Sequence, residues 1–64
     1  MVIYAERDGN RRGRWPIGNS EARPSNAMIQ RAGIDPQSVL KIEAHHEHGD
    51  RHYWLVILPK TKGA

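Results

Sequence analysis

Ala22-Arg23-Pro24-Ser25-Asn26-Ala27-Met28-Ile29-Gln30-Arg31-Ala32-Gly33-Ile34-Asp35-Pro36 leads into two apolar segments, Val39 to Ala44 and Tyr53 to Leu58. Between them lies a polar tip, His45-His46-Glu47-His48-Gly49-Asp50-Arg51-His52. This reads as one helix feeding a β-hairpin. Ser25 is a good N-cap for a helix over 26–32, with a single cap because position 28 is Met28 and not Glu or Gln. Met28, Ile29 and Ala32 share one face. Gly33 suits the left-handed position after the helix, and Pro36 prevents it from restarting. Two turns are too short to be stable alone, so the helix must pack on a sheet. Val39 to Ala44 alternates, with Leu40, Ile42 and Ala44 on one face and Lys41 and Glu43 on the other, as a half-buried strand does. Tyr53 to Leu58 is apolar on both faces, which predicts cover on both sides. Two helical turns cannot supply both covers, so the second is expected from another copy of the chain, in a homodimer whose sheets interlock.

Upstream, Val2-Ile3-Tyr4-Ala5 has the β-branched and aromatic character of a first strand. Asp8-Gly9-Asn10 is a turn signal, and Arg11-Arg12-Gly13-Arg14 prolongs a flexible basic loop. Trp15-Pro16-Ile17 can be extended, but Pro16 has no N–H and belongs at an edge or bulge. Gly18-Asn19-Ser20 reads as a second turn. Glu21-Ala22-Arg23 reads as a short second strand, because a residue before proline favours extended geometry. Pro59 ends the last strand, and 60–64 is a polar tail.

The 64 residues make one small domain of marginal stability, and the absence of cysteine removes disulfides and thiolate metal sites as supports. No apolar run approaches the roughly 20 residues that span a bilayer, and the start has no signal-peptide core. A soluble, cytoplasmic protein with no membrane partner is therefore expected. The formal charge is +3 and unevenly spread. Residues 1–31 hold six arginines against three acids, whereas residues 32–64 hold four bases and four acids. An all-arginine excess suits phosphate and base edges, and its confinement to one half points to a polyanion on one face.

The ordered set Arg14-Trp15, Gly18-Asn19-Ser20, Arg23-Pro24, Met28-Ile29-Gln30, Gly33-Ile34-Asp35-Pro36, the strand Val39 to Ile42, Gly49-Asp50 and Leu55-Val56-Ile57-Leu58-Pro59-Lys60 resembles the AbrB-like and MazE-like (SpoVT-AbrB) swapped-hairpin DNA-binding family. The likeness covers about residues 12–60, with 1–11 as an added strand and basic loop and 61–64 as a tail. It implies a mostly β fold with one short helix, in which two chains exchange hairpins to build one small AbrB-like β-barrel as an intertwined homodimer. It also implies that the basic N-terminal half grips double-stranded DNA to regulate transcription. Arg14, Asn19, Ser20 and Arg23 fall on the family's DNA-contacting segment, and Arg11 and Arg12 extend it. Arg14→Ala and Arg23→Ala are each expected to weaken DNA binding without unfolding the protein. Pro16-Ile17 sets Gly18-Asn19-Ser20 two places later than in MazE-like chains. An antitoxin of this family continues into a tail that wraps its cognate toxin. A chain stopping at Lys62-Gly63-Ala64 reads as a truncated domain or as a stand-alone DNA binder.

Two other function classes fit the same residues. One is a small protein-interaction module, such as a phage-encoded inhibitor, docking its basic face on an acidic protein. The other is a SymE-like RNA-cleaving toxin. Against an enzyme stand the lack of a cysteine nucleophile or phosphate loop, and the lack of an evident His–Asp partner for Ser20 or Ser25. His45, His46, His48 and His52 cluster with Glu47 and Asp50 as zinc or nickel ligands can, but a polar exposed tip accounts for them, and neither metal nor cofactor is expected. Trp15, beside Arg14 and Pro16, is the one aromatic considered for a surface role, while Tyr53 and Trp54 read as core.

Overall fold

A computed structural model describes residues 1–7 and 9–60. Four strands, β1 (Val2–Arg7), β2 (Trp15–Asn19), β3 (Lys41–Glu47) and β4 (Arg51–Leu58), form one mixed sheet in the order β2-β1-β4-β3. A single helix, α1 (Asn26–Arg31), lies between the two hairpins. The chain is thus mostly β with one short helix. β1 pairs antiparallel with β2, and β3 with β4, while β1 and β4 run parallel down the middle, Val2 beside Tyr53 and Arg7 beside Leu58.

The helix forms where its local signals put it. The Ser25 hydroxyl accepts from the Met28 N–H at 3.3 Å, and Gly33 takes φ +83° after the C-cap residue Ala32. Ile29 carries the helix into the core with Ile3, Ala5, Ile34, Val56 and Leu58, and Met28 and Ala32 pack at its margin. Strand alternation puts Ile3, Ala5, Trp54, Val56, Leu58 and Ile42 on this helix-covered face.

Several boundaries differ from the sequence reading. Asp35 caps a 3-10 turn over Pro36–Ser38, its carboxylate accepting from the Gln37 N–H at 2.9 Å, so Val39 and Leu40 only lead into β3. The strand then runs on through His46 and Glu47, because β4 begins early enough, at Arg51, to pair with them. Of the three side chains expected to face inward, only Ile42 packs against the core; Leu40 is 66% exposed and Ala44 is exposed. β3 is an edge strand with no neighbour to cover its start. Gly18 and Asn19 belong to β2, opposite Ile3 and Val2, and do not form a turn. The ladder slips between Ile3 and Tyr4, where Pro16 faces Tyr4 on the outer strand, which suits a residue that cannot donate. Glu21 to Arg23 is an irregular bend and not a strand. The basic loop contains a 3-10 turn over Arg11–Gly13, capped by Asn10, whose side chain accepts from the Arg12 N–H at 3.0 Å. Asp8 and the tail from 61 onward lie outside the described residues.

The doubly apolar β4 has a cover that the sequence did not reveal. Leu55 is 2% and Tyr53 8% exposed within the single chain, on the face away from the helix. Arg14 reaches across this face from the basic loop to Glu6 and Tyr53, and Tyr4 packs edge-on against Tyr53 at 5.6 Å. Burial of β4 therefore does not by itself require a second chain.

Candidate nucleic-acid interface

The six arginine, asparagine and serine positions singled out above divide into two groups. Arg11, Arg12, Asn19 and Arg23 are exposed, and none has a side-chain ion pair among the described residues. Arg11 and Arg12 sit on the 3-10 turn after β1, Asn19 ends β2, and Arg23 precedes Pro24 at the approach to the helix. Each projects from irregular or strand-end backbone, where a long cation keeps its hydration and can trade it for phosphate.

Ser20 and Arg14 are tied to the protein itself. The Ser20 hydroxyl donates to the Ala22 carbonyl at 2.9 Å and accepts from the Ala22 N–H at 3.2 Å, which holds the bend after β2. Arg14 is turned inward, with a side chain 19% exposed. Its Nε donates to Glu6 Oε1 at 3.0 Å, and its Nη1 donates to the Tyr53 hydroxyl at 3.2 Å. The Tyr53 hydroxyl donates in turn to Glu47 Oε1 at 3.0 Å. Burial works to lower the pKa of the Arg14 guanidinium. The hydrogen bonds to Tyr53 and Glu6 outweigh it, so the value rises above the ordinary one and the side chain is permanently charged. The pair neutralises Glu6, which is only 6% exposed.

This network belongs to a larger polar and aromatic surface on the face away from the helix. The His45 ring stacks on Tyr53 with centroids 5.1 Å apart and planes 4° from parallel. His45 Nε2 donates to Glu43 Oε2 at 2.9 Å, and Lys41 Nζ bonds Glu43 Oε1 at 2.7 Å. The Lys41 bond first and the His45 bond second hold the Glu43 carboxyl below its ordinary pKa. Beside this cluster a pocket of about 330 Å³ opens at the start of β1, lined by Val2, Tyr4, Arg14, Glu47, Arg51 and Tyr53 among others. It shares Glu47 and Arg51 with a broad groove of about 980 Å³ at the β3–β4 tip, where Arg11 also lines the wall. The basic loop and the distant hairpin therefore meet on one surface.

The sequence reading missed Tyr4, Glu47, Arg51 and Tyr53 as a group. Tyr4 and Glu6 alternate on β1 as same-face residues, which was a readable signal. Their meeting with β4 depends on a parallel pairing that no local pattern announces. Of the four histidines, His46 and His52 face each other across β3 and β4, rings stacked 4.1 Å apart, and His46 Nε2 approaches Asp50 Oδ1 at 3.4 Å. Among the described residues, no group of three or more His, Asp or Glu is placed to hold a metal ion. Among them, too, no helix is long and apolar enough to cross a membrane.

The fold and this surface define a class by architecture: a four-stranded mixed sheet backed by one short helix, with an arginine- and tyrosine-bearing face opposite. No protein-family model, no curated protein and no solved structure matches the chain.

Proposed function

We propose that the chain is a sequence-specific, double-stranded DNA-binding transcriptional regulator that acts as a homodimer by exchanging hairpins. The observation that carries this is the set of exposed arginines in the first half of the chain, Arg11, Arg12 and Arg23, with no internal ion pairs among the described residues and with exposed Asn19 nearby in sequence. The hairpin–helix–hairpin order, which is the order the resemblance to swapped-hairpin domains implies, also supports the reading. In mechanism, Arg11, Arg12 and Arg23 neutralise phosphates of the duplex and fix its register, and Asn19 reaches a base edge. Two copies related by a twofold axis present two such surfaces to a symmetric operator. Repression or activation of its own operon, with a toxin partner if the chain is the DNA-binding part of an antitoxin, is the regulatory setting.

Fluorescence anisotropy against the duplex upstream of its own gene and a scrambled duplex, at several salt concentrations, tests this. Preference for the upstream duplex, with affinity falling steeply with salt, is the expected result. Arg11→Ala, Arg12→Ala and Arg23→Ala should each reduce the slope of log K against log salt by about 1 while leaving the urea midpoint unchanged. Absence of binding to either duplex would overturn the reading and favour an acidic protein as the partner.

A further inference from the structure

The surface away from the helix offers a second recognition site with a different chemistry from the exposed arginines. We infer that the pocket between Tyr4, Tyr53, Glu47 and Arg51 binds one unstacked guanine nucleotide of a single-stranded nucleic acid. Its size, about 330 Å³, lies at the low end of the range of small-ligand sites and suits a single nucleotide. Tyr4 and Tyr53 stand on the two central strands, ring to ring at 5.6 Å and 82°. Tyr53 is fixed by Arg14 and Glu47 through its hydroxyl, and Tyr4 is half-buried and lines the cavity. The half-open ring of Tyr4, held edge-on against the fixed ring of Tyr53, is a stacking platform that any base can use.

The polar groups narrow the choice of base. Glu47 spends Oε1 on the Tyr53 hydroxyl, and its other oxygen has no partner among the described residues. A carboxylate only accepts, so it selects a base edge that presents donors side by side. Guanine does so with N1–H and its exocyclic amine, whereas uracil and thymine offer a single N–H flanked by carbonyls that a carboxylate repels. Arg51 is exposed, faces Glu47 across the hairpin and has no ion pair among the described residues, so it is the group available to the phosphate.

The neighbouring groove indicates that the nucleotide belongs to a strand. The pocket adjoins the groove at the β3–β4 tip, sharing Glu47 and Arg51 in its wall, and Arg11 lines that groove. A strand whose guanine occupies the pocket therefore passes a second cation as it leaves. Paired bases cannot enter, because the carboxylate takes the edge that guanine uses for pairing. The site shares Arg11 with the duplex reading but is otherwise built from different residues, since that reading rests on Arg12, Asn19 and Arg23 and the pocket on Tyr4, Tyr53, Glu47 and Arg51.

The test is fluorescence anisotropy of the full chain with single-stranded octamers in a uridine or thymidine background, with and without one central guanine, as RNA and as DNA. Free guanosine monophosphate and the guanine octamer annealed to its complement complete the set. The guanine octamer should bind about tenfold more tightly than the octamer lacking guanine, and annealing should abolish that advantage. Glu47→Gln should erase the preference for guanine, and Arg51→Ala should weaken every single strand. Tyr4→Ala should weaken binding about tenfold, and Tyr4→Phe, which keeps the ring, should not. Stronger binding of RNA than DNA would assign the sugar as a contact, and binding of free guanosine monophosphate as tight as the octamer's would reject the strand as occupant. Equal affinity for octamers with and without guanine, or an undiminished guanine preference in Glu47→Gln, would overturn the site. Loss of duplex binding in Arg12→Ala with single-strand binding intact would separate the two surfaces.

Discussion

Arg14 shows how one side chain can look like a ligand-binding group and serve the fold. Its sequence neighbours are Arg11, Arg12 and Trp15, which suggest a basic surface, yet its partner is a carboxylate on the preceding strand. Removing one member of a buried ion pair strands the other, at about 3 kcal/mol. Arg14→Ala is therefore expected to lower the unfolding free energy by that amount, read as a fall in the urea midpoint at unchanged m, where the sequence alone implies no unfolding. Replacing the pair together, Arg14→Met with Glu6→Leu, should recover most of the loss, since apolar groups of similar volume need no partner. A double mutant as unstable as Arg14→Ala would refute this account. Glu43 carries a pH consequence of opposite character. Its carboxyl titrates below its ordinary value, so it contributes stability above the unfolded pKa and loses it as pH falls through the lower folded pKa. Lys41→Ala removes the larger cause and should move the Glu43 titration upward, which carboxyl NMR would record directly; His45→Ala should move it less.

At the scale of the elements, the helix was legible and the edge strand was not, for a physical reason. Ser25 and Gly33 act within a few residues of themselves, through a hydroxyl on an N–H and a positive φ, so the sequence carries the whole instruction. Ser25→Ala and Gly33→Ala should each cost about 1 kcal/mol in thermal or urea melts, the first by losing the cap and the second by forcing a Cβ into left-handed backbone. The extent of β3 depends instead on how far β4 continues opposite to it. Leu40 alternates correctly with Ile42 but lies at the strand's edge, two-thirds exposed among the described residues. The candidate site divided along the same line. Exposed Arg11, Arg12, Asn19 and Arg23 could be read one at a time. The Tyr4–Tyr53–Glu47–Arg51 pocket could not, because it is assembled by strands more than forty residues apart.

For the whole molecule, the proposed hairpin exchange concerns the same parallel contact that unites the two halves. Two hairpins whose strands pair through β1 and β4 can pair within one chain or between two. Sedimentation equilibrium should give twice the 7.3 kDa chain mass at micromolar concentration if the hairpins exchange, and the single-chain mass would refute the exchange. The position of β4 also bears on how the protein is made. Of the four described strands, the last to emerge during synthesis is a central one, and β1, the first of them, has its longest ladder with it. Until residues near Tyr53 leave the ribosome, β1 and β2 have only each other, and an isolated hairpin is marginal in water. The sheet can close only once β4 is free, so its folding waits for the last of the four described strands. A nascent chain halted before β4 would hold its arginines on an unfolded segment, able to attract nucleic acid through charge alone before any specific surface exists.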